Sequence, residues 1–359
     1  MAGSTLPFCR PGNLPQGVRG GAVGSTRPGC GCAWERSQTT GDWGQRDEGT
    51  AAVTAGGQTP RPTALVFPGQ GSQREAMAAP WRGHRAYVRW AQADDLLGRD
   101  VTRLGLEASA DELREPANCQ VALFVHHVVL LEAWRAAAGP APLAVAGHSL
   151  GEYNALVAAG VLPFADALRL VEARAGHTQR AAQTNPGMML ACLGFGVEEV
   201  RAACDGAGAY VANDNAPGQI VAAGSAEALE RLRAELDGGR GRLVTLEVGA
   251  AYHSPHMEPA VEPFGRALDT AAFADATVPV VANLDALPHT AAGEWPSLLR
   301  RQLVSPVRWR ETVRTLGALG VGQVVELAAS AVLTGLVKRT DPTLGRRTVA
   351  TPEDLEKAR

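Results

Sequence analysis

The chain has no excess of charge of either sign. Its 34 lysines and arginines nearly balance 37 aspartates and glutamates, for a formal net charge of −3. That excludes the basic footprint of a nucleic-acid-binding protein. No apolar run reaches the roughly 18 residues that a membrane helix needs, so a spanning protein is not expected either. Cysteine forms no framework: Cys9, Cys30 and Cys32 lie near the amino terminus, and Cys119, Cys192 and Cys204 are scattered. Such spacing suits neither a metal site nor a set of disulfides, and free thiols fit a reducing cytoplasm. Lysine occurs only at Lys338 and Lys357, which reads as genome composition rather than function. Residues 1–60 are rich in Gly, Pro, Thr, Ser and Arg and lack apolar periodicity. They cannot bury enough surface to offset their ordering entropy, so a disordered tail or an over-extended start is expected there. A secretory signal is excluded by the missing apolar core, and Glu35, Asp42, Asp47 and Glu48 argue against a transit peptide.

What remains is ordinary for a globular enzyme: 359 residues, 45% apolar and 20% charged, enough for one large domain or a domain with an insertion. The chain is organised around Gly147-His148-Ser149-Leu150-Gly151, a G-x-S-x-G string. Among 41 glycines such a string can arise by chance, and its flanks decide its weight. The apolar run 141–146 suits a buried strand, and the alanine-rich stretch 152–159 suits a helix. Strand, sharp turn and helix are the context of a nucleophile elbow. There the flanking glycines permit close approach, and the backbone N–H of Leu150 lies where negative charge is stabilised.

Ordered structure is expected from the run 63–67, which ends in Phe67-Pro68-Gly69-Gln70-Gly71-Ser72-Gln73. That string is either a simple Gly/Pro turn or a loop presenting N–H groups at the carboxyl end of a strand. Asn118 opens a helix running to about residue 137, apolar nearly all round, which makes His126 and His127 core or edge histidines rather than catalytic ones. His148, beside the serine, is placed to touch substrate but not to act as its base. On the helix expected over 164–183, Arg174 shares a face with Ala167, Leu170, Val171 and Thr178, whereas Arg169 and Arg180 do not. A guanidinium on an apolar stripe needs an anion; a structural carboxylate or a ligand can supply it.

Residues 187–249 read as a separate unit with the order β-α-β-β-α-β: strands over 188–193, 209–213, 219–223 and 242–248, helices over 197–204 and 226–237, and a turn at 215–218. This is the ferredoxin-like arrangement. Beyond it come Tyr252-His253-Ser254-Pro255-His256 and then Gln302-Leu303-Val304-Ser305-Pro306-Val307-Arg308-Trp309.

Together these strings resemble the malonyl-CoA:acyl-carrier-protein transacylase family, whose members include discrete fatty-acid enzymes and polyketide-synthase acyltransferases. Gly147 to Tyr153, Phe67 to Gln73, Leu170 to Arg174, Asn213 to Gln219, Tyr252-His253-Ser254 and Gln302 to Trp309 carry the likeness, over about residues 63–340. Gly151-Glu152-Tyr153-Asn154-Ala155-Leu156 is more similar to free-standing acyltransferases of polyketide assembly lines. The resemblance implies Ser149 as nucleophile and His253 as general base. The N–H groups of Gln70 and Leu150 would form the oxyanion hole. Arg174 would grip the malonyl carboxylate, and the backbone carbonyl of Gln302 would orient His253 in place of a triad aspartate. Tyr252 stands where phenylalanine is usual, Ala175 and Thr178 replace a glycine and a methionine, and Ala328-Ala329-Ser330 replaces Gly-Pro-Gly.

The fold class implied is α/β: a large α/β-hydrolase-like domain over 61–186 and 250–345, with an inserted ferredoxin-like domain over 187–249 and a C-terminal tail over 346–359. The function implied is ping-pong transfer of malonyl from malonyl-CoA to the phosphopantetheine thiol of an acyl carrier protein. No metal or organic cofactor is expected, no nucleic-acid or membrane partner, and the acting species is a monomer in the cytoplasm. An acyl hydrolase that clears stalled carriers would share the elbow, but its relatives tend to lack the arginine. A catalytically dead carrier-docking module would not need Ser149 and His253.

Overall fold

The computed structural model describes residues 61–357. Its strands are β1 (Thr63–Phe67), β2 (Ala144–Gly147), β3 (Met188–Leu193), β4 (Tyr210–Ala216), β5 (Gln219–Gly224), β6 (Arg242–Leu246), β7 (Val280–Val281), β8 (Pro288–His289), β9 (Gln323–Leu327) and β10 (Gly345–Val349). Six of them form one sheet in the order β10-β9-β1-β2-β7-β8, parallel throughout except for the β7–β8 hairpin. Every residue of β1 and β2 is buried, as expected of parallel strands covered on both faces. The helix Pro116–Ala136 packs in the core and buries Val121 to Leu131 without a break, so its apolar surround is a consequence of enclosure. His126 and His127 are fully buried within it.

The remaining four strands form an antiparallel sheet, order β4-β5-β3-β6, with the helices Val197–Ala207 and Ala226–Glu235 between its strands in sequence. This is the ferredoxin-like order, inserted between β2 and β7 of the parallel sheet. It is tied to the larger layer by a parallel bridge from Asn213 to Val307 and by the ion pair of Arg310 with Asp214 at 2.6 Å. Pairing of Ala216 with Gln219 of β5 extends β4 through Ala216, so the turn is Pro217-Gly218 alone rather than 215–218.

The end of the chain corrects the sequence reading. Residues 346–357 are no tail: β10 pairs in register with the whole of β9, and the helix Pro352–Glu356 follows it. Polar Arg346, Arg347 and Thr348 disguise the strand because it lies at the sheet edge, where one side needs no apolar cover. The tail expected over 1–60 lies outside the described residues. Among the described residues no helix is long and apolar enough to cross a membrane.

Candidate active site

Three adjacent strands converge on the site at their carboxyl ends, where open parallel sheets leave their crevices. After β1 comes the Gly69-Gln70 loop, after β2 the elbow, and after β7 Asn283. The elbow is sterically demanding. A Cβ on Gly147 would fall 1.9 Å from the Gly151 carbonyl carbon, and one on Gly151 would fall 2.0 Å from the Phe67 oxygen. Both glycines are therefore required by close approach. Ser149 between them is held at φ 53°, in the left-handed region that costs a serine about 1–3 kcal/mol. His253 shares this strain at φ 58°.

Ser149 Oγ lies 2.7 Å from His253 Nε2, and His253 Nδ1 lies 2.9 Å from the Gln302 carbonyl oxygen. A carbonyl only accepts, so the ring proton belongs on Nδ1, leaving Nε2 free to accept from the serine hydroxyl. Burial, followed by the neighbouring Arg174 guanidinium, pushes the His253 imidazole down to about 3, so at neutral pH it is an uncharged base. Arg174 Nη2 donates to the same serine oxygen at 3.1 Å.

Arg174 is 3% exposed, on the buried face of the helix Phe164–Thr184, while Arg169 and Arg180 face solvent. Its guanidinium also donates to Gln120 Oε1 at 2.6 Å and Gln302 Oε1 at 3.3 Å. Among the described residues it forms no ion pair, and its Nε has no acceptor. Gln120 Nε2 and the Tyr252 hydroxyl are likewise buried and unpartnered. Gln120, Arg174 and Tyr252 all line a cleft of about 180 Å³ beside Ser149. Buried donors with nothing to donate to, around an uncompensated cation, suit an anionic oxygen group entering from the cleft.

Gln70 and Leu150 line the same cleft, and neither backbone N–H donates to a backbone acceptor among the described residues. His148 also lines it but turns aside: its Nε2 is 2.8 Å from Asn215 Oδ1, and its ring tilts against Trp309. Burial lowers its proton affinity too. His256 faces the Asn185 carbonyl at 3.5 Å. Where Ala328-Ala329-Ser330 stands, Ser330 donates to the Ser72 carbonyl at 3.0 Å. Glu326 accepts the N–H groups of Val332, Leu333 and Thr334, which fixes the lip of the cleft by other means.

The sequence reading missed Asn283, Glu152, Gln120 and the side-chain role of Gln302. Glu152 stood inside the elbow string, but a carboxylate in a first helical turn reads as solvated; here it is 1% exposed. Asn283 follows a strand, where asparagine ordinarily signals a turn.

Comparison with known proteins agrees with this geometry. The acyl transferase domain family matches residues 64–350. The malonyl CoA-acyl carrier protein transacylase of Escherichia coli K12 is 39% identical over 302 residues, covering 82% of this chain and 98% of its own. That of Bacillus subtilis 168 is 38% identical over 309 residues, covering 82% and 95%. An acyl carrier protein S-malonyltransferase from Vibrio cholerae superposes with a TM-score of 0.80 at 34% identity, over 83% of this chain and all of that one. A malonyl-transacylase solved in complex with a type II polyketide synthase acyl carrier protein gives 0.79 at 38% identity, over 82% and 98%. With the family matched along almost the whole described chain, and the elbow, histidine and buried arginine meeting at one oxygen, this protein belongs to the acyl transferase family, among the malonyl-CoA:acyl carrier protein transacylases.

Proposed function

We propose that this protein moves malonyl from malonyl-CoA to the phosphopantetheine thiol of an acyl carrier protein through an ester on Ser149. The observation that carries the reading is the single oxygen, Ser149 Oγ, bracketed by a neutral imidazole at 2.7 Å and a buried guanidinium at 3.1 Å. His253 Nε2 takes the serine proton as Oγ attacks the thioester carbonyl. The Gln70 and Leu150 N–H groups receive the oxyanion. As the C–S bond breaks, His253 returns its proton to the departing CoA sulfur. Arg174 holds the malonyl carboxylate meanwhile, assisted by Gln120 Nε2. The carrier thiol then attacks the ester, giving its proton to His253, and Ser149 leaves with that proton. Each proton and charge is handled by a group of this one chain, so the reading takes a monomer and routes no step through a metal or organic cofactor.

Incubation with malonyl-CoA alone should add one malonyl group to the protein by intact mass, and Ser149→Ala should abolish the adduct. Addition of holo carrier protein should discharge it far faster than water does. Retention of the adduct in Ser149→Ala would overturn the nucleophile, and rapid discharge by water alone would make the protein a hydrolase.

A further inference from the structure

Beyond the residues that face substrate, we infer that Asn283 and Glu152 are positioning residues that hold the nucleophile elbow and the base-orienting segment in one arrangement. The inference rests on Ser149 being the nucleophile. Neither residue lines the cleft, and each is 1% exposed.

The strained turn leaves backbone groups on both sides of His148 to be satisfied. One amide does so: Asn283 Oδ1 accepts the Ser149 N–H at 2.6 Å, and Asn283 Nδ2 donates to the Gly147 carbonyl at 2.5 Å. Closing this ring needs an acceptor and a donor on one flat group, in one orientation. A second amide meets the same turn from the other side. Gln302 Nε2 donates to the Ser149 carbonyl at 3.1 Å, while Gln302 Oε1 accepts from Arg174 and its backbone oxygen faces His253 Nδ1.

Glu152 lies between the two amides. Its Oε1 accepts the Asn283 backbone N–H at 2.7 Å and faces Asn283 Nδ2 at 3.3 Å, and its Oε2 accepts Gln302 Nε2. Burial raises the Glu152 carboxyl to about 7, against the pull of the Asn283 N–H and the Gln302 amide. Above that pH it is a carboxylate that only accepts, so it dictates which end of each amide points inward. Flipping Asn283 would set its oxygen against the Gly147 oxygen; flipping Gln302 would set an NH2 group against Arg174. A buried network of this kind fixes geometry only while every member is matched. Ser149 Oγ, the His253 ring and the Arg174 fork are thus referenced to one carboxylate that does not touch substrate.

The test uses Asn283→Ala, Asn283→Asp and Glu152→Gln in the full chain, with single-turnover formation of the malonyl-Ser149 adduct measured per folded molecule. Each variant should acylate about 10- to 100-fold more slowly, with KM for malonyl-CoA changed by less than about threefold, because the cleft lining is intact. Asn283→Asp gives a sharper readout. A protonated carboxyl mimics an amide, with O–H toward Gly147 and C=O toward the Ser149 N–H. Glu152 contacts this position, Asp285 acts on it only through Glu152, and Arg174 stands beyond Gln302, so burial beside Glu152 favours the protonated form. The rate of Asn283→Asp relative to the parent enzyme should therefore recover as pH falls from about 8 to about 6. Acylation at the parent rate per folded molecule, or a loss confined to KM, would overturn the inference. So would a pH-independent ratio for Asn283→Asp. If Asn283→Ala does not fold, the near-isosteric Asn283→Asp and Glu152→Gln carry the test. A persistent adduct in Ser149→Ala would instead remove the nucleophile reading on which the inference rests.

Discussion

Two imidazoles in this molecule are displaced to the same degree for the same leading cause, and only one has the partners of a base. Burial pushes both His253 and His126 down to about 3. His126 stands mid-helix at 0% exposure, its ring tilted against Trp90 at 6.5 Å, and among the described residues neither of its nitrogens has a partner. His253 is 4% exposed, in left-handed backbone, with a hydroxyl on one nitrogen and a carbonyl on the other. Desolvation alone makes a histidine neutral; it does not make it a base. Directional partners, held at some backbone cost, are what separate the two.

The hardest test of that comparison removes each ring in turn. His253→Ala should slow acylation of Ser149 by about 10⁴-fold, because the unassisted hydroxyl is a weak nucleophile. His126→Leu should leave it within about twofold, since among the described residues neither nitrogen of that ring has a partner through which to reach the cleft. Stopped single turnovers with malonyl-CoA measure both. Equal losses would mean that burial, not partnering, is the relevant property.

Arg174 extends the contrast from a base to a cation. Its charge is buried without a direct counter-ion among the described residues, reaching Glu152 only through the Gln302 amide. A malonyl carboxylate would complete it. Arg174→Ala strands that carboxylate in the cleft and should lower malonyl transfer by about 10² to 10³. Acetyl-CoA has nothing to strand, so its slow transfer should change little. The ratio of the two rates in parent and variant decides the matter: an equal fall for both substrates would make Arg174 a structural residue.

The same distinction explains what the sequence disclosed. Ser149, Gln70, Leu150, Arg174, His253 and the Gln302 carbonyl come together because short strings encode local backbone demands. Gly147 and Gly151 must be glycine for the elbow to close, and Arg174 falls on an apolar stripe by helical period alone. The two sheets were legible for similar reasons, from apolar runs and turn residues. Asn283, Glu152 and Gln120 were not, because their meaning depends on what they are buried against. An asparagine after a strand and a glutamate in a first helical turn have common solvent-facing uses. β10 escaped for the opposite reason: an edge strand keeps polar residues, so its place beside β9 is a tertiary fact.

The smallest effect is the one that best isolates burial from partnering. His126 and His127 are pushed to about 3 and about 4 by desolvation, against an ordinary value of 6.5. Both folded-state values are depressed, so below 6.5 the unfolded chain binds more protons than the folded one. The stability these rings permit is therefore present above pH 6.5 and lost as pH falls toward about 4 and then 3, by up to about 1.4 kcal/mol per pH unit for each ring. His253 adds to the same window. His126→Leu removes one of these proton-binding differences and two unpartnered nitrogens while keeping an apolar side chain in the core. Urea melts between about pH 5 and pH 7.5 should give a stability curve shallower by roughly one proton, with stability at pH 7.5 equal to the parent or slightly higher. An unchanged slope would mean that the folded protein protonates His126 as readily as the unfolded chain does. That would make its burial electrostatically silent and remove the common ground on which the two histidines are compared.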